Sequence, residues 1–83
     1  MNVKTKLTPA QCRAARGLLG WTQYDLSKEA GVGIVTVNQL EGGITQPRNA
    51  TLDVIRRAFE ASGVEFLDAG REAGVGVRLS KQK

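Results

Sequence analysis

Apolar residues recur every three or four positions along most of the chain, which is the spacing of amphipathic helices. Thr8 and Thr22 precede two such segments, and each is followed three residues later by a side chain suited to a helix start. Gly20 and Gly31 close the segments, as glycine does at helix ends. The pattern predicts a first helix over residues 9–19 and a short second helix between Thr22 and Gly31. Their inner stripes consist of Cys12, Ala15, Leu19, Leu26 and Ala30.

The next stretch, residues 33–41, is ambiguous on its local pattern alone. Its four consecutive β-branched residues, from Ile34 to Val37, favour a strand. However, Val37 and Leu40 are three apart among polar residues, and two glycines follow Glu41 as they would follow a helix. We therefore predict a third helix over residues 33–41.

A fourth helix is predicted after the loop that contains Pro47. Asn49 is its expected cap and Gly63 its expected end, because these residue types are favoured at helix starts and stops. Its inner stripe consists of Leu52, Ile55, Ala58 and Phe59.

Beyond Gly63 the apolar spacing changes to two, which is the spacing of β-strands. The alternating residues are Val64 and Phe66 in one segment and Val75, Val77 and Leu79 in another. We therefore expect a mainly α fold of four to five short helices with a C-terminal β-hairpin. Residues 1–63 would form the helical domain, and residues 64–83 the hairpin and a basic tail that is frayed from Ser80 to Lys83.

The composition excludes several functional classes. Cys12 is the single cysteine and the chain has no histidine, so the usual thiolate and imidazole ligands of a zinc site are missing. The commonest general base is missing for the same reason. We expect no metal site, no cofactor and no enzymatic activity.

Charge and hydropathy indicate the kind of partner. Twelve Lys and Arg against eight Asp and Glu give a net charge of +4, which favours an anionic partner such as nucleic acid. The same excess also lies within the ordinary range for small soluble domains, so charge alone does not decide. A long apolar run and the apolar core of a signal peptide are both missing, which predicts a cytoplasmic protein without membrane contact.

Several linked motifs between Thr8 and Gly63 follow one known pattern. They are Arg13-Ala14-Ala15-Arg16, Leu19-Gly20-Trp21-Thr22-Gln23, Gly31-Val32, Leu40-Glu41-Gly42-Gly43, Pro47 and Thr51-Leu52. In order and spacing they resemble the Cro/C1-type (XRE) helix-turn-helix family of repressors. The resemblance implies a lambda-repressor-like domain that regulates transcription by binding double-stranded DNA. Its recognition helix, about Ile34 to Glu41, would lie in the major groove.

The resemblance also implies roles for individual positions. Base contacts would come from Ile34, Val35, Thr36, Asn38 and Gln39. The two aliphatic side chains can contact only thymine methyl groups, whereas the amides of Asn38 and Gln39 can pair with adenine. Phosphate contacts would come from Thr22, Gln23, Gly42, Thr45 and Arg48, and Asn38 is a candidate for a phosphate contact as well as for a base contact. Arg16 and Glu41 would form a salt bridge between the first helix and the end of the third; the alternative for Arg16 is a phosphate contact.

Structural alternatives stand beside these roles. Ile34 and Val35 would otherwise pack in the core or in a dimer contact, and Gln23 would be a solvated surface residue. Trp21 is expected to pack between helices rather than stack on a base. Arg13, Arg56 and Arg57 are expected to cover their own helices, with Arg13 facing water.

The assembly is a further expectation. A two-stranded hairpin is marginal alone and has exposed edges. We therefore expect it to pack on the helices and to help form a homodimer, with two recognition helices about 34 Å apart on a pseudo-palindromic operator. The alternative is a protein-interaction module with the same fold, such as an antitoxin or an anti-activator, whose protein partner would contact Ile34 and Val35.

Overall fold

The computed structural model describes residues 6–80, so residues 81–83 of the predicted tail and the N-terminal residues 1–5 lie outside the described part of the chain. The expectation that Ser80 is frayed is wrong, because its N–H and its hydroxyl both donate to the carbonyl of Gly63, at 2.7 Å and 3.0 Å. Four helices are followed by two strands: α1 (Pro9–Leu19), α2 (Gln23–Ala30), α3 (Ile34–Gly42), α4 (Asn49–Ala61), β1 (Val64–Leu67) and β2 (Gly76–Leu79). The predicted mainly α fold with a C-terminal hairpin is confirmed. None of the helices within residues 6–80 combines the length and apolar character needed to cross a membrane.

The first two helices begin and end where the sequence predicts. Reciprocal capping boxes join Thr8 to Gln11 and Thr22 to Asp25, so each threonine hydroxyl accepts a hydrogen bond from the backbone three residues later. Gly20 and Gly31 end the helices in the left-handed conformation, with φ angles of 67° and 70°.

The β-branched segment from Ile34 onward is helical, as its context predicts. Its N-cap is Gly33, which provides no side-chain hydrogen bond. Gly43 ends α3 in the left-handed conformation, and the following N–H of Ile44 donates to the carbonyl of Gln39 at 3.2 Å. Burial of Val37 and Leu40 outweighs the strand preference of the segment, because this helical spacing directs both side chains into the core.

The start of α4 differs from the prediction. Arg48, not Asn49, is the N-cap, since its backbone is extended and its carbonyl accepts the N–H of Leu52 at 3.0 Å. Asn49 is already the first helical residue, so the prediction of an asparagine cap was wrong by one position. At the other end Ser62 is the C-cap, and Gly63, with φ of 95°, leads directly into β1.

The hairpin and the helices share one hydrophobic core around Phe59. The rings of Trp21 and Phe66 lie 5.6 Å and 5.9 Å from the Phe59 ring, between centroids. Val64 is also buried in this core, and Gln11 of α1 donates to the carbonyl of Gly76 at 3.0 Å. The strands pair antiparallel, with Val64 opposite Leu79 and Phe66 opposite Val77. The expectation that Trp21 packs between structural elements therefore agrees with the structure.

Arg56 does not simply cover its helix, as had been expected. It is only 9% exposed, its guanidinium lies 5.0 Å from the centre of the Phe66 ring, and its Nε pairs with Glu60 at 3.2 Å. The expectation fails because Phe66 reaches α4 from the hairpin, a contact that local periodicity does not encode. Arg57 behaves as expected, since it is exposed and pairs with Asp53 one turn away at 3.0 Å.

Candidate nucleic-acid interface

α2 and α3 are held together by a three-residue turn. The backbone carbonyl of Ser27 accepts hydrogen bonds from the N–H groups of Gly31 and Val32, at 2.9 Å and 3.1 Å. The Ser27 hydroxyl donates to the backbone carbonyl of Val32 at 2.5 Å. Leu26 and Val37 are fully buried between the helices. The turn and the core contact together fix the direction in which α3 leaves α2.

The outer face of α3 carries residues for which the sequence predicts base contacts. Ile34 and Val35 are 45% and 65% exposed, so the alternative that they pack in the core is wrong. Asn38 and Gln39 are exposed one turn further along, and Thr36 is half-buried. The helix thus presents two aliphatic and two amide side chains to solvent.

Glu41 anchors the inner side of the same helix. Two nitrogens of Arg16 approach its two carboxylate oxygens at 2.7 Å each, which is the bidentate geometry of a strong ion pair. Glu41 is only 5% exposed. Burial alone would raise its pKa, but hydrogen bonds from Arg16, Gln23 and Cys12 outweigh burial and lower the pKa.

Two further residues of α1 contact Glu41, and sequence analysis missed both. Burial, together with the hydrogen bond to Glu41, raises the pKa of the Cys12 thiol, which stays protonated and donates to Oε2 at 3.2 Å. Arg13 donates to the backbone carbonyl of Glu41, so it does more than face water as had been expected. The helical spacing of Cys12, Arg13 and Arg16 on α1 signals that they are neighbours, but it does not reveal their common partner.

Gln23 and Asn38, the predicted phosphate and base contacts, touch each other. Nε2 of Gln23 donates to Glu41 at 3.1 Å, and Nδ2 of Asn38 donates to Oε1 of Gln23 at 3.4 Å. Gln23 is half-buried rather than a freely solvated side chain. A continuous hydrogen-bonded chain therefore runs from Arg16 through Glu41 and Gln23 to Asn38.

Thr22 lies exposed beside Gln23 at the start of α2. Its hydroxyl accepts the N–H of Asp25 at 3.0 Å, and its own N–H donates to the Asp25 carboxylate at 2.9 Å. Hydrogen bonds from the Thr22 backbone and side chain lower the pKa of Asp25. Thr22 therefore both donates to Asp25 and accepts from it within the capping box of α2.

The end of α3 and the loop after it carry the remaining predicted phosphate contacts. Gly42, Thr45 and Arg48 are all exposed, and the Thr45 hydroxyl lies 3.5 Å from Oε1 of Gln39. Ile44 is 72% exposed in the same loop and was not among the predicted site residues. The only feature of the sequence that marks Ile44 is its aliphatic side chain, which follows two turn glycines and precedes polar residues.

Metal ligands do not cluster in the described part of the chain. Within residues 6–80, no group of three or more Cys, Asp or Glu side chains could hold an ion. The surface around α3 is built from amides, hydroxyls, aliphatic groups and the guanidinium of Arg48.

Comparison with known proteins supports the arrangement of α1 to α4. No curated protein matches the chain significantly. A model of the family described as helix-turn-helix matches residues 13–66, which is more than half of the chain. The match extends from the start of the Arg13 motif through the four helices into β1. The chain therefore belongs to the Cro/C1-type (XRE) helix-turn-helix family of DNA-binding regulators.

Proposed function

We propose that this protein is a sequence-specific transcriptional regulator that inserts α3 into the major groove of double-stranded DNA. The observation that carries the proposal is the division of α3 into two faces. Val37, Leu40 and Glu41 fix the helix from inside, while Ile34 and Val35 remain exposed on the outside. A helix whose inner side is fixed can present side chains to base edges without losing its orientation.

Base recognition combines apolar and amide contacts. Ile34 and Val35 offer only methyl and methylene groups, which suit the 5-methyl group of thymine. Gln39 is exposed and offers both a donor and an acceptor, the combination that recognises adenine. Thr36 and Asn38 complete the proposed set of base contacts.

Phosphate contacts are proposed on both sides of α3. Thr22 and Gln23 lie at the start of α2. Gly42 is the last residue of α3, and Thr45 and Arg48 lie in the loop after it. The support for these roles is chemical: hydroxyl, amide and guanidinium groups donate to phosphate oxygens, and glycine permits close approach of the backbone. Such contacts supply affinity that does not depend on sequence.

The hairpin supports the proposal of a homodimer. Within residues 6–80, β1 and β2 form a sheet of two strands, so each is an edge strand that a further strand could join, and Leu79 of β2 is exposed. We propose that a second copy pairs with this sheet and that the pair binds a pseudo-palindromic operator. Light scattering of the free and DNA-bound protein tests this step, because a monomeric mass in both states would exclude it.

One observation favours a second candidate function. Ile34 and Val35 are adjacent exposed aliphatic residues at the start of α3, and exposed apolar side chains of this kind also suit a protein partner. An antitoxin or anti-activator would use this surface to bind another protein in place of DNA.

Selection of bound sequences from a random duplex pool distinguishes the two functions. DNA binding predicts an enriched half-site whose affinity falls steeply with salt, because bound phosphates release counterions. A protein-interaction module predicts no enrichment and only weak binding that is independent of sequence. The spacing of the enriched half-sites also reports whether the protein binds as a dimer.

A further inference from the structure

The buried carboxylate of Glu41 determines how the Gln23 amide is oriented. An ionised carboxylate can only accept hydrogen bonds, so the Gln23 amide must turn its NH2 group towards Glu41. The observed Nε2 to Oε1 distance of 3.1 Å agrees with this orientation. The carbonyl oxygen of Gln23 must then point the other way, towards the surface.

Asn38 occupies the position that this oxygen faces. Its Nδ2 donates to Oε1 of Gln23 at 3.4 Å, so α3 contacts both polar atoms of the Gln23 amide, Oε1 through Asn38 and Nε2 through Glu41. Each contact supports the orientation set by the other: Glu41 accepts from the nitrogen and Asn38 donates to the oxygen. Within residues 6–80, Glu41 is the acceptor from Gln23 Nε2, so the second proton of this nitrogen is available to an external acceptor.

We infer that Asn38 is a positioning residue that orients Gln23 for a phosphate oxygen, and that its principal role is not to read a base. The inference rests on the proposed DNA-binding function and changes the role of Asn38 within it. An oriented amide loses less side-chain freedom on binding than a free glutamine does, so it binds phosphate more tightly. Because every duplex has the same phosphates, Asn38 contributes to affinity for all sequences.

A double-mutant cycle on DNA tests this role. The binding of wild-type protein, Asn38→Ala, Gln23→Ala and the double variant is measured on the selected duplex and on duplexes with single base-pair changes. Asn38→Ala is expected to weaken binding to every duplex by a similar factor, roughly threefold to tenfold. In the Gln23→Ala background the same change should have almost no effect.

Gln39→Ala is the matched control, because Gln39 is the adjacent exposed amide on α3. It is expected to change the order of base preference and to keep its effect in the Gln23→Ala background. The contrary result is that Asn38→Ala changes the preference at one base pair of the duplex, and does so equally in the wild-type and Gln23→Ala backgrounds. Asn38 would then read that base. The inference would be wrong, and the proposed function would stand.

A measurement without DNA tests the contact itself. In the NMR spectrum of the free protein, Asn38→Ala is expected to shift the side-chain amide signal of Gln23 and to increase its mobility, whereas Gln39→Ala leaves it unchanged. An unchanged Gln23 signal in Asn38→Ala would overturn the inference. Failure of the wild-type protein to bind any duplex would overturn the proposed function and the phosphate role together.

Discussion

Arg16 and Glu41 are joined by two hydrogen bonds of 2.7 Å, from Nε to Oε2 and from Nη2 to Oε1. Arg16 is half-buried at the surface of α1, whereas Glu41 is buried at the end of α3. The pair therefore connects the first helix to the helix that carries the proposed base contacts.

Loss of Arg16 should destabilise the fold strongly, because the buried carboxylate of Glu41 would lose its counter-ion. We expect Arg16→Ala to lower the free energy of unfolding by about 3 kcal/mol in urea denaturation. Arg57→Ala is the control: its pair with Asp53 is exposed, so the loss should stay below about 1 kcal/mol. Equal losses in the two variants would show that the Arg16–Glu41 pair does not stabilise the fold.

Stability should also depend on the ionisation of Glu41. Hydrogen bonds hold its pKa in the folded state below the ordinary value of about 4.5, so the contribution of Glu41 is fully present above that value and is lost as the pH falls through the folded-state pKa. The free energy of unfolding of the wild-type protein should fall over this range. Glu41→Gln, which has no charge to lose, should show a shallower fall. Identical pH profiles would contradict the predicted pKa direction.

The hairpin should unfold together with the helices. Phe66 of β1 packs against Phe59 of α4. Phe66→Ala is therefore expected to lower the free energy of unfolding by about 3 kcal/mol and to lower the midpoint of a single transition shared by hairpin and helices. Trp21 fluorescence and far-ultraviolet circular dichroism should give the same midpoint. Val54→Ala, at an exposed position of α4, should change stability by less than about 0.5 kcal/mol. Two separate transitions would mean that the hairpin is an independent unit.

The left-handed end of α3 should require glycine. Gly43 has φ of 69°, and a Cβ at this position meets no neighbouring atom within 4 Å, so the cost of Gly43→Ala comes from the backbone alone. We expect Gly43→Ala to lower the free energy of unfolding by about 1 kcal/mol. Gly17→Ala is the matched control, since Gly17 is helical, exposed and equally free of contacts, and alanine should stabilise α1 by roughly 0.5 kcal/mol. Equal effects of the two changes would contradict this explanation.

The helices and the hairpin could be predicted because their signals are local. Threonine caps, closing glycines and apolar spacing each act within a few residues, and they identified even α3, whose β-branched start favours a strand. The cap of α4 was misplaced by one residue because the pattern does not show which carbonyl accepts the first helical hydrogen bond.

The contacts of the site were harder to predict because they join distant parts of the chain. Gln23 and Glu41 are 18 residues apart, and Arg16 and Glu41 are 25 apart. The family resemblance supplied the Arg16–Glu41 pair, but the contacts of Arg13, Cys12 and Asn38 depend on how the helices pack. Residue type and spacing alone do not determine that packing.

The central claim is that α3 reads bases while the start of α2 contacts phosphate. The most direct test is to measure the affinities of Gln39→Ala and Gln23→Ala for the selected duplex and for single base-pair variants of it. We expect Gln39→Ala to cost about 1 to 3 kcal/mol on the selected duplex and to relax the preference at one position. Gln23→Ala should weaken binding to all duplexes by a similar factor. If neither change alters binding to any duplex, α3 does not carry the DNA-binding surface.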